Sequence, residues 1–399
     1  MNKKLVAVAI AGLLAAPLAQ AQTANVTLYG RANMNMAFVN GGKFDPASGG
    51  NTNPTVFRVD SNSSRFGIRG TESLGGGLNA IFQIENGSIN MSSTGGVLGG
   101  RDTFLGLSGS WGTFKMGFFS APYDDITIVQ GSSTLNTGIL STGSLWAQAT
   151  QDPAGDVSGK VSTGGGFDSR LANSIRFDSN TYAGFSFSGQ FATGERSRNN
   201  SAGTGQSAGA NNNTSGNVSS NSNSQSYIAR YINGPFTGLI GYEFHNNLRG
   251  GINANLDDSA WSIAAMWQFS GFNIGGTYEW LDYDATRTTD LKRKYWQLNS
   301  TINIGANGEL YLMYGSAGDG TGSAVNGTKV GQLIKGDNTG ASTWQVAYTH
   351  ALSKRTKLFT GYVKVNNDNL AFYSFGGNGY SVRPGGSPGG FSAGMWHNF

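Results

Sequence analysis

From residue 22 onward, apolar side chains return at every second position over long stretches. Nowhere do they run together for the ~18 residues that a spanning helix needs. In FTGLIGYEFH, Phe236, Gly238, Ile240, Tyr242 and Phe244 share one face, with Thr237, Leu239, Gly241, Glu243 and His245 on the other. WSIAAMWQF sets Trp261, Ile263, Ala265, Trp267 and Phe269 against Ser262, Ala264, Met266 and Gln268. FNIGGTYEW and WQLNSTINI repeat the pattern through Trp280 and Ile304. A period of two is that of a β-strand whose two faces meet different surroundings. No comparably long stretch carries helical spacing.

Strands of this kind build a sandwich or a barrel, and two features favour the barrel. Trp and Tyr sit near the ends of the apolar faces, where membrane barrels carry aromatic girdles. Short linkers at 73–77, 233–235 and 352–354 interleave with long polar ones at 120–168, 193–224, 317–341 and 367–388. That rhythm is the one expected of short periplasmic turns and long extracellular loops. Counting from Asn25 gives about sixteen strands, the even number of a bacterial barrel. The expected fold is all-β, a transmembrane antiparallel β-barrel occupying residues 22–399, with a secreted soluble β-protein as the alternative.

The segment 1–21 has Lys3 and Lys4, an apolar run from Leu5 to Leu18, and Ala19-Gln20-Ala21. It reads as a secretory signal peptide with an A-x-A cleavage site. The chain has 27 Lys and Arg against 23 Asp and Glu. Without Lys3 and Lys4 the balance is 25 against 23, which implies no nucleic acid or other polyanion as partner. There is no cysteine, so neither disulfides nor thiolate metal sites are available. The mean hydropathy of −0.27 would suit a soluble protein, so the periodicity rather than the composition points to the membrane. The chain finishes FSAGMWHNF, with Phe391, Ala393, Met395 and Phe399 on one face of a closing strand.

The first strand VTLYGR (Val26–Arg31), the segment Ser64–Glu85 and the segment Phe104–Gly117 resemble the Gram-negative general porins, nearest their beta-proteobacterial branch. So do Asn173–Phe185, Ala351–Phe359 and the terminal HNF, in the same order along the chain. The resemblance implies sixteen strands, a homotrimer, and a third loop folded inward to narrow the pore. It also implies contact with outer-membrane lipid and lipopolysaccharide, passage of small hydrophilic solutes and ions, and no cofactor. In that family a terminal phenylalanine serves as the signal read by the outer-membrane assembly machinery, a role that falls here on Phe399.

Alternation puts Arg31 opposite Ala32, Arg65 and Arg69 opposite Phe66 and Ile68, Lys115 opposite Met116, and Arg176 opposite Ile175. A basic side chain facing lipid at the midplane costs ~2–4 kcal/mol, so these five belong to the lumen. The resemblance assigns Arg31 and Arg65 to a basic pore-wall ladder and Arg101 to another basic family position. The long stretch 120–168 suits the inward loop, since structureless loops beyond ~15 residues are usually functional or disordered. It carries Asp124, Asp125, Asp152 and Asp156, with Asp124 and Asp125 as the acidic side of a constriction. One departure is that Phe118-Phe119 follow FKMG, where the family usually carries a basic residue. The Asn/Ser/Gly-rich stretch 196–225 reads as a surface loop without chemistry.

Enzyme readings find little support. Gly205–Gly209 and Gly385–Gly389 match G-x-S-x-G, yet both lie in Gly/Ser-rich loops rather than between a strand and a helix. His245, His350 and His397 lie on separate strands without metal spacing. Asp257-Asp258 and Asp282/Asp284 read as solvated loop charge. The expected function is a diffusion channel with a modest anion preference. A substrate-selective channel is the runner-up and a barrel enzyme the third reading. The outward face of the first strand, from Val26 to Met36, lacks Trp and Tyr, so residues 25–90 and the closing strand are expected to meet neighbouring protomers.

Overall fold

The structure is a computed structural model that describes residues 25–42, 55–87, 99–131, 138–147, 166–167, 169–193, 223–249, 256–376 and 382–399. The expected signal peptide, the stretch 196–222 and the acids Asp152 and Asp156 lie outside the described residues. Strands β1 (Asn25–Asn40), β2 (Val56–Ser61), β3 (Arg65–Gly75), β4 (Leu78–Gly87), β5 (Thr103–Gly109), β6 (Gly112–Ser120) and β7 (Arg170–Ser179) open the wall. It continues with β8 (Phe185–Thr193), β9 (Asn223–Asn233), β10 (Phe236–Arg249), β11 (Leu256–Gln268), β12 (Phe272–Thr286) and β13 (Thr289–Ile304). Between β14 (Gly308–Ala317) and β17 (Ala341–Ala351), a loop holds the hairpin of β15 (Lys329–Val330) and β16 (Leu333–Ile334). Then β18 (Thr356–Asn367) and β19 (Gly389–Asn398) complete the wall.

Each wall strand pairs antiparallel with its neighbours, and β1 closes the ring by pairing with β19 from Arg31↔Asn398 to Asn40↔Gly389. On its other side β1 pairs with β3 below and β2 above, so these two are one stave interrupted at Asn62–Ser64. The break is stitched by Asn62 N–H to Asn33 C=O at 2.8 Å and Asn33 N–H to Ser64 Oγ at 2.9 Å. The wall is therefore a closed sixteen-strand barrel.

Its two faces have exchanged the roles they hold in a water-soluble protein. The apolar faces lie outward and exposed, Leu298 at 56% and Trp261 at 47%, while inward Glu243 and Glu279 stand at 0%. An outer surface this apolar needs lipid around it. Hydrocarbon in turn permits only a sheet with no open edge. Turns at one rim are short, as at 233–236 and 304–308, and those at the other are mostly long. The alternation is not strict: β12 and β13 meet at the long-loop rim through the two residues Arg287-Thr288. There Thr286 and Thr289 hydroxyls hydrogen-bond at 2.7 Å, which lets two of the longest strands turn tightly.

The closing seam also fixes the last residue. Gly30 N–H donates to Phe399 C=O at 3.0 Å and Phe399 N–H to Gly30 C=O at 3.1 Å. The Phe399 ring lies over Gly30, where an added Cβ would overlap the ring and stand 2.9 Å from the Arg65 carbonyl. Gly30→Val should therefore destabilise the barrel by about 1–3 kcal/mol, the usual cost of overpacking. The measurement is the urea midpoint of refolded protein in detergent. An unchanged midpoint would mean that the ring is not seated on Gly30.

Candidate functional site

After β6 the chain turns into the lumen instead of leaving it. Ala121 is extended, Pro122 opens a 3₁₀ turn through Ile126, and one helical turn, Thr127–Gln130, follows. This spacing buries Tyr123, Ile126 and Val129 against the wall and leaves Asp124, Asp125, Thr127 and Ile128 towards open lumen. The inner faces of β10–β12 are cut to receive them. A Cβ on Gly241 would stand 3.2 Å from the Tyr123 ring, and one on Gly275 2.6 Å from the Val129 carbonyl. With Leu239, Ala260, Ala264 and Leu281 these residues form a hydrophobic core inside the barrel. Further along, Ile139 and Leu140 pack on Val39, Phe359 and Val363, on both sides of the seam. The chain then returns to β12 and β13 through Leu145, Trp146 and Ala147.

The part of the wall left uncovered by this loop is basic. Arg31 and Arg65 face each other across the β1–β3 ladder. Glu85 of β4 accepts hydrogen bonds from Arg101 Nε and, at 2.9 Å, from Tyr29 OH, and stands 3.7 Å from Arg65 Nε. Arg31 instead donates to the neutral Asn398 Oδ1 at 3.1 Å and lies 4.2 Å over the Trp396 ring. Three guanidinium groups thus gather about one carboxylate, with two positive charges in excess. Beside them Arg170 pairs with Asp102 at 2.7 Å and adds no net charge.

A second group lies nearer the short-turn rim. Asp178 pairs with Lys115 at 3.0 Å and with Arg176 at 2.8 Å. Asp125 of the loop reaches Arg176 at 3.5 Å and pairs closely with Arg230. Three cations here meet two carboxylates. Lys115 also lies 5.1 Å from the Phe104 ring and 5.3 Å from Phe119, so aromatic faces supply part of its surroundings. Beneath the loop a recess of about 240 Å³ opens among Asn273, Asn299, Thr301, Glu309 and Lys357. The site is a charge-lined space between a loop and a wall.

The Gram-negative porin family model matches residues 6–370. This chain belongs to that family. It is 25% identical over 408 residues to outer membrane porin protein 32 of Delftia acidovorans, covering 100% of each chain. It is also 27% identical to an outer membrane porin protein of Bordetella pertussis, over 90% of this chain and 93% of that one. Among solved structures it resembles an anion-selective porin from Comamonas acidovorans, with TM-score 0.69 and 22% identity over 94% and 100% of the two chains. The protein is an outer-membrane porin, a channel through a closed β-barrel.

Of the residues singled out in the sequence, the porin brings Arg31, Arg65 and Arg101 together about Glu85. Arg69 faces the same lumen but stands apart over the Tyr29 ring at 5.0 Å. Lys115 and Arg176 belong to the second group with Asp125, and Asp124 is half-buried beside it in the loop. Of the pair Phe118-Phe119 that departs from the family pattern, Phe119 lies at a bulge and is buried. Sequence reasoning missed Glu85, Asp102, Asp178 and Arg230 as partners. Alternation gives the inward face of Glu85, opposite Ile84, but only the ladder tells that it meets Arg101. The serine of Gly385–Gly389 accepts from Asn367 N–H at 3.0 Å and is followed by β19, a strand rather than a helix. His245 meets Glu243, His350 meets Tyr348 and His397 meets Thr356, each on its own part of the wall.

Proposed function

We propose that this porin passes small hydrophilic solutes and ions by diffusion with a modest preference for anions, and that Arg31, Arg65 and Arg101 set that preference. The observation that carries the reading is the gathering of three guanidinium groups about the single carboxylate of Glu85. Arg69, Lys115 and Arg176 add positive potential to the wall, while Asp124 and Asp125 form the opposing acidic side. A wall charge about 10 Å from a passing ion contributes ~0.4 kcal/mol at ε ≈ 80 and about four times that at ε ≈ 20. Effects of this size bias permeation without excluding the opposite ion. The related structure described as anion-selective supports the sign. A substrate-selective channel, the second reading, would show saturable block by one solute.

Arg65→Ala should lower the anion-to-cation permeability ratio about two-fold at 0.1 M salt, and Glu85→Gln should raise it by a similar factor. Both effects should shrink at 1 M salt, where the Debye length falls from ~10 Å to ~3 Å. Reversal potentials in a salt gradient across planar bilayers read this directly. Unchanged values for both variants at low salt would remove these residues from the selectivity path.

The working unit is proposed to be a homotrimer. The outward faces of β1 and β2 expose Val26, Leu28, Met36 and Val59 without Trp or Tyr, whereas β11–β13 expose Trp261, Trp280 and Trp296. Interfacial aromatics favour the headgroup level, which leaves the aromatic-poor side for protein. OmpT of Vibrio cholerae, a structural match with TM-score 0.63 at 12% identity, is described in a trimer form. Single cysteines at Leu28 or Val59 should crosslink between protomers, and those at Trp261 or Trp280 should not. Crosslinking confined to the latter pair would reverse the assignment. Phe399 is proposed to act as the assembly signal as well. Its deletion should sharply reduce outer-membrane yield while synthesis and export continue, as read by surface labelling.

A further inference from the structure

We propose that Glu279, in the middle of β12 and away from the basic wall, is the residue that positions the inward loop, with Arg293 of β13 as its partner. The proposal rests on the reading of this chain as a channel narrowed by that loop. Glu279 is fully buried, and its carboxylate accepts hydrogen bonds from both limbs of the loop. Tyr123 OH on the outgoing limb lies 2.9 Å from Oε1. On the returning limb Ala147 N–H lies 3.1 Å from both Oε1 and Oε2. The two limbs also meet each other above it, since the Tyr123 and Trp146 rings stack at 5.6 Å and 5°. Arg293, equally buried, stands 3.6 Å from Glu279 Oε2 and donates through Nη2 to the Leu145 carbonyl.

Two further observations point the same way. A buried carboxylate costs far more than an apolar side chain of its size unless it is paired and hydrogen-bonded. Packing at Gly241 and Gly275, together with Tyr123 N–H to Ser226 Oγ at 3.0 Å and Asn299 Nδ2 to the Val129 carbonyl at 2.9 Å, holds the outgoing limb without it, so a carboxylate here answers a need on the returning limb. That need is at Ala147, whose φ of 55° lies in the left-handed region that side chains other than glycine rarely adopt. This conformation aims its N–H at the carboxylate, and the two contacts to Glu279 hold it there. One side chain on the wall therefore joins chain positions 123 and 147. Asp124 and Asp125 follow directly on the held Tyr123.

The chain has no cysteine, so a thiol at position 147 reports on the loop against a blank background. Ala147→Cys keeps a side chain of nearly the same demand on the backbone and is buried when the loop is seated. In that background Glu279→Ala should raise the rate of labelling by a water-soluble thiol reagent about 100-fold, because removing one partner of a buried pair shifts an opening equilibrium by at least that factor. Glu279→Gln, which keeps one carbonyl acceptor, should fall between. Arg293→Met leaves Glu279 as an unpaired buried charge and removes the bond to the Leu145 carbonyl, so it should raise labelling by a comparable factor. Single-channel current of Glu279→Ala should become noisy and larger, while the sign of the reversal potential stays that of the parent, since the arginines about Glu85 are untouched. If Glu279→Ala fails to assemble, Glu279→Gln reads the same equilibrium. Labelling and conductance equal to the parent in both Glu279 variants would overturn the proposal and leave the anchoring to apolar packing and to the other wall contacts of the outgoing limb, such as Asn299 Nδ2 to the Val129 carbonyl at 2.9 Å. A parent protein that forms no channel in bilayers would instead overturn the channel reading on which the proposal rests.

Discussion

Hydrocarbon offers no hydrogen-bond partner, so every backbone N–H and C=O of a spanning strand must find its partner on another strand. The rest of this molecule follows from that requirement through β1. Its lower half pairs with β3 and its upper half with both β2 and β19. It is the stave at which the last strand meets the first, and no edge remains. The seam requires Gly30 without a side chain and Phe399 folded over it. Closure also settles the faces, because a one-residue slip along any ladder would turn every apolar side chain into the lumen.

Inside the ring, the wall divides into a dry part and a wet part. The inner faces of β10–β13 carry small and apolar residues such as Gly241, Ala260, Ala264 and Leu281, on which the inward loop lays Tyr123, Ile126 and Val129. Burial of these side chains, at ~25 cal/mol per Å² of apolar surface, favours the loop in the lumen over the loop in water. Where water is excluded, the surviving charges are paired, as Glu279 is with Arg293. The unpaired surplus of charge sits where water remains, around Arg31, Arg65 and Arg101. A loop that takes one half of the lumen as its core thereby leaves the passage to the other, basic half.

Much of this was legible in the chain itself. Alternation identified the strands around Phe236–Ile304 and the outward residues of β19. It also placed Arg31, Arg65, Arg69, Lys115 and Arg176 on the inner side, because a period of two is local and needs no knowledge of neighbours. The length of the stretch after Ser120 marked the inward loop. What stayed hidden was pairing between distant positions. Glu85 and Arg101 are 16 residues apart, Arg230 and Asp125 are 105 apart, and Tyr123 and Glu279 are 156 apart. Partners of that kind depend on register around the barrel, which no single strand encodes. The tight turn at Arg287-Thr288 was missed for a related reason. Loop length at one rim follows from how far two particular strands extend, and β12 and β13 extend further than most.

The charge on the passage then has a cause that precedes any solute. An arginine within a stave either faces the lumen or costs ~2–4 kcal/mol at the midplane. Five such residues on the lipid side would consume most of a typical folding stability of ~5–15 kcal/mol. Basic residues kept in mid-stave therefore become pore wall, and the membrane alone would make the pore positive. What tempers it is the company they keep. Glu85 serves Arg65 and Arg101, Asp102 serves Arg170, and Asp178 with Asp125 serves Lys115, Arg176 and Arg230. Each carboxylate holds its cations in place and offsets one of their charges. Arg31, like Arg69 over the Tyr29 ring, is paired differently. Its guanidinium leans on the Trp396 ring and the Asn398 amide, partners that orient it without cancelling its charge. Among the basic residues gathered about Glu85 it keeps the most of its field for the passing ion, because its direct partners are neutral.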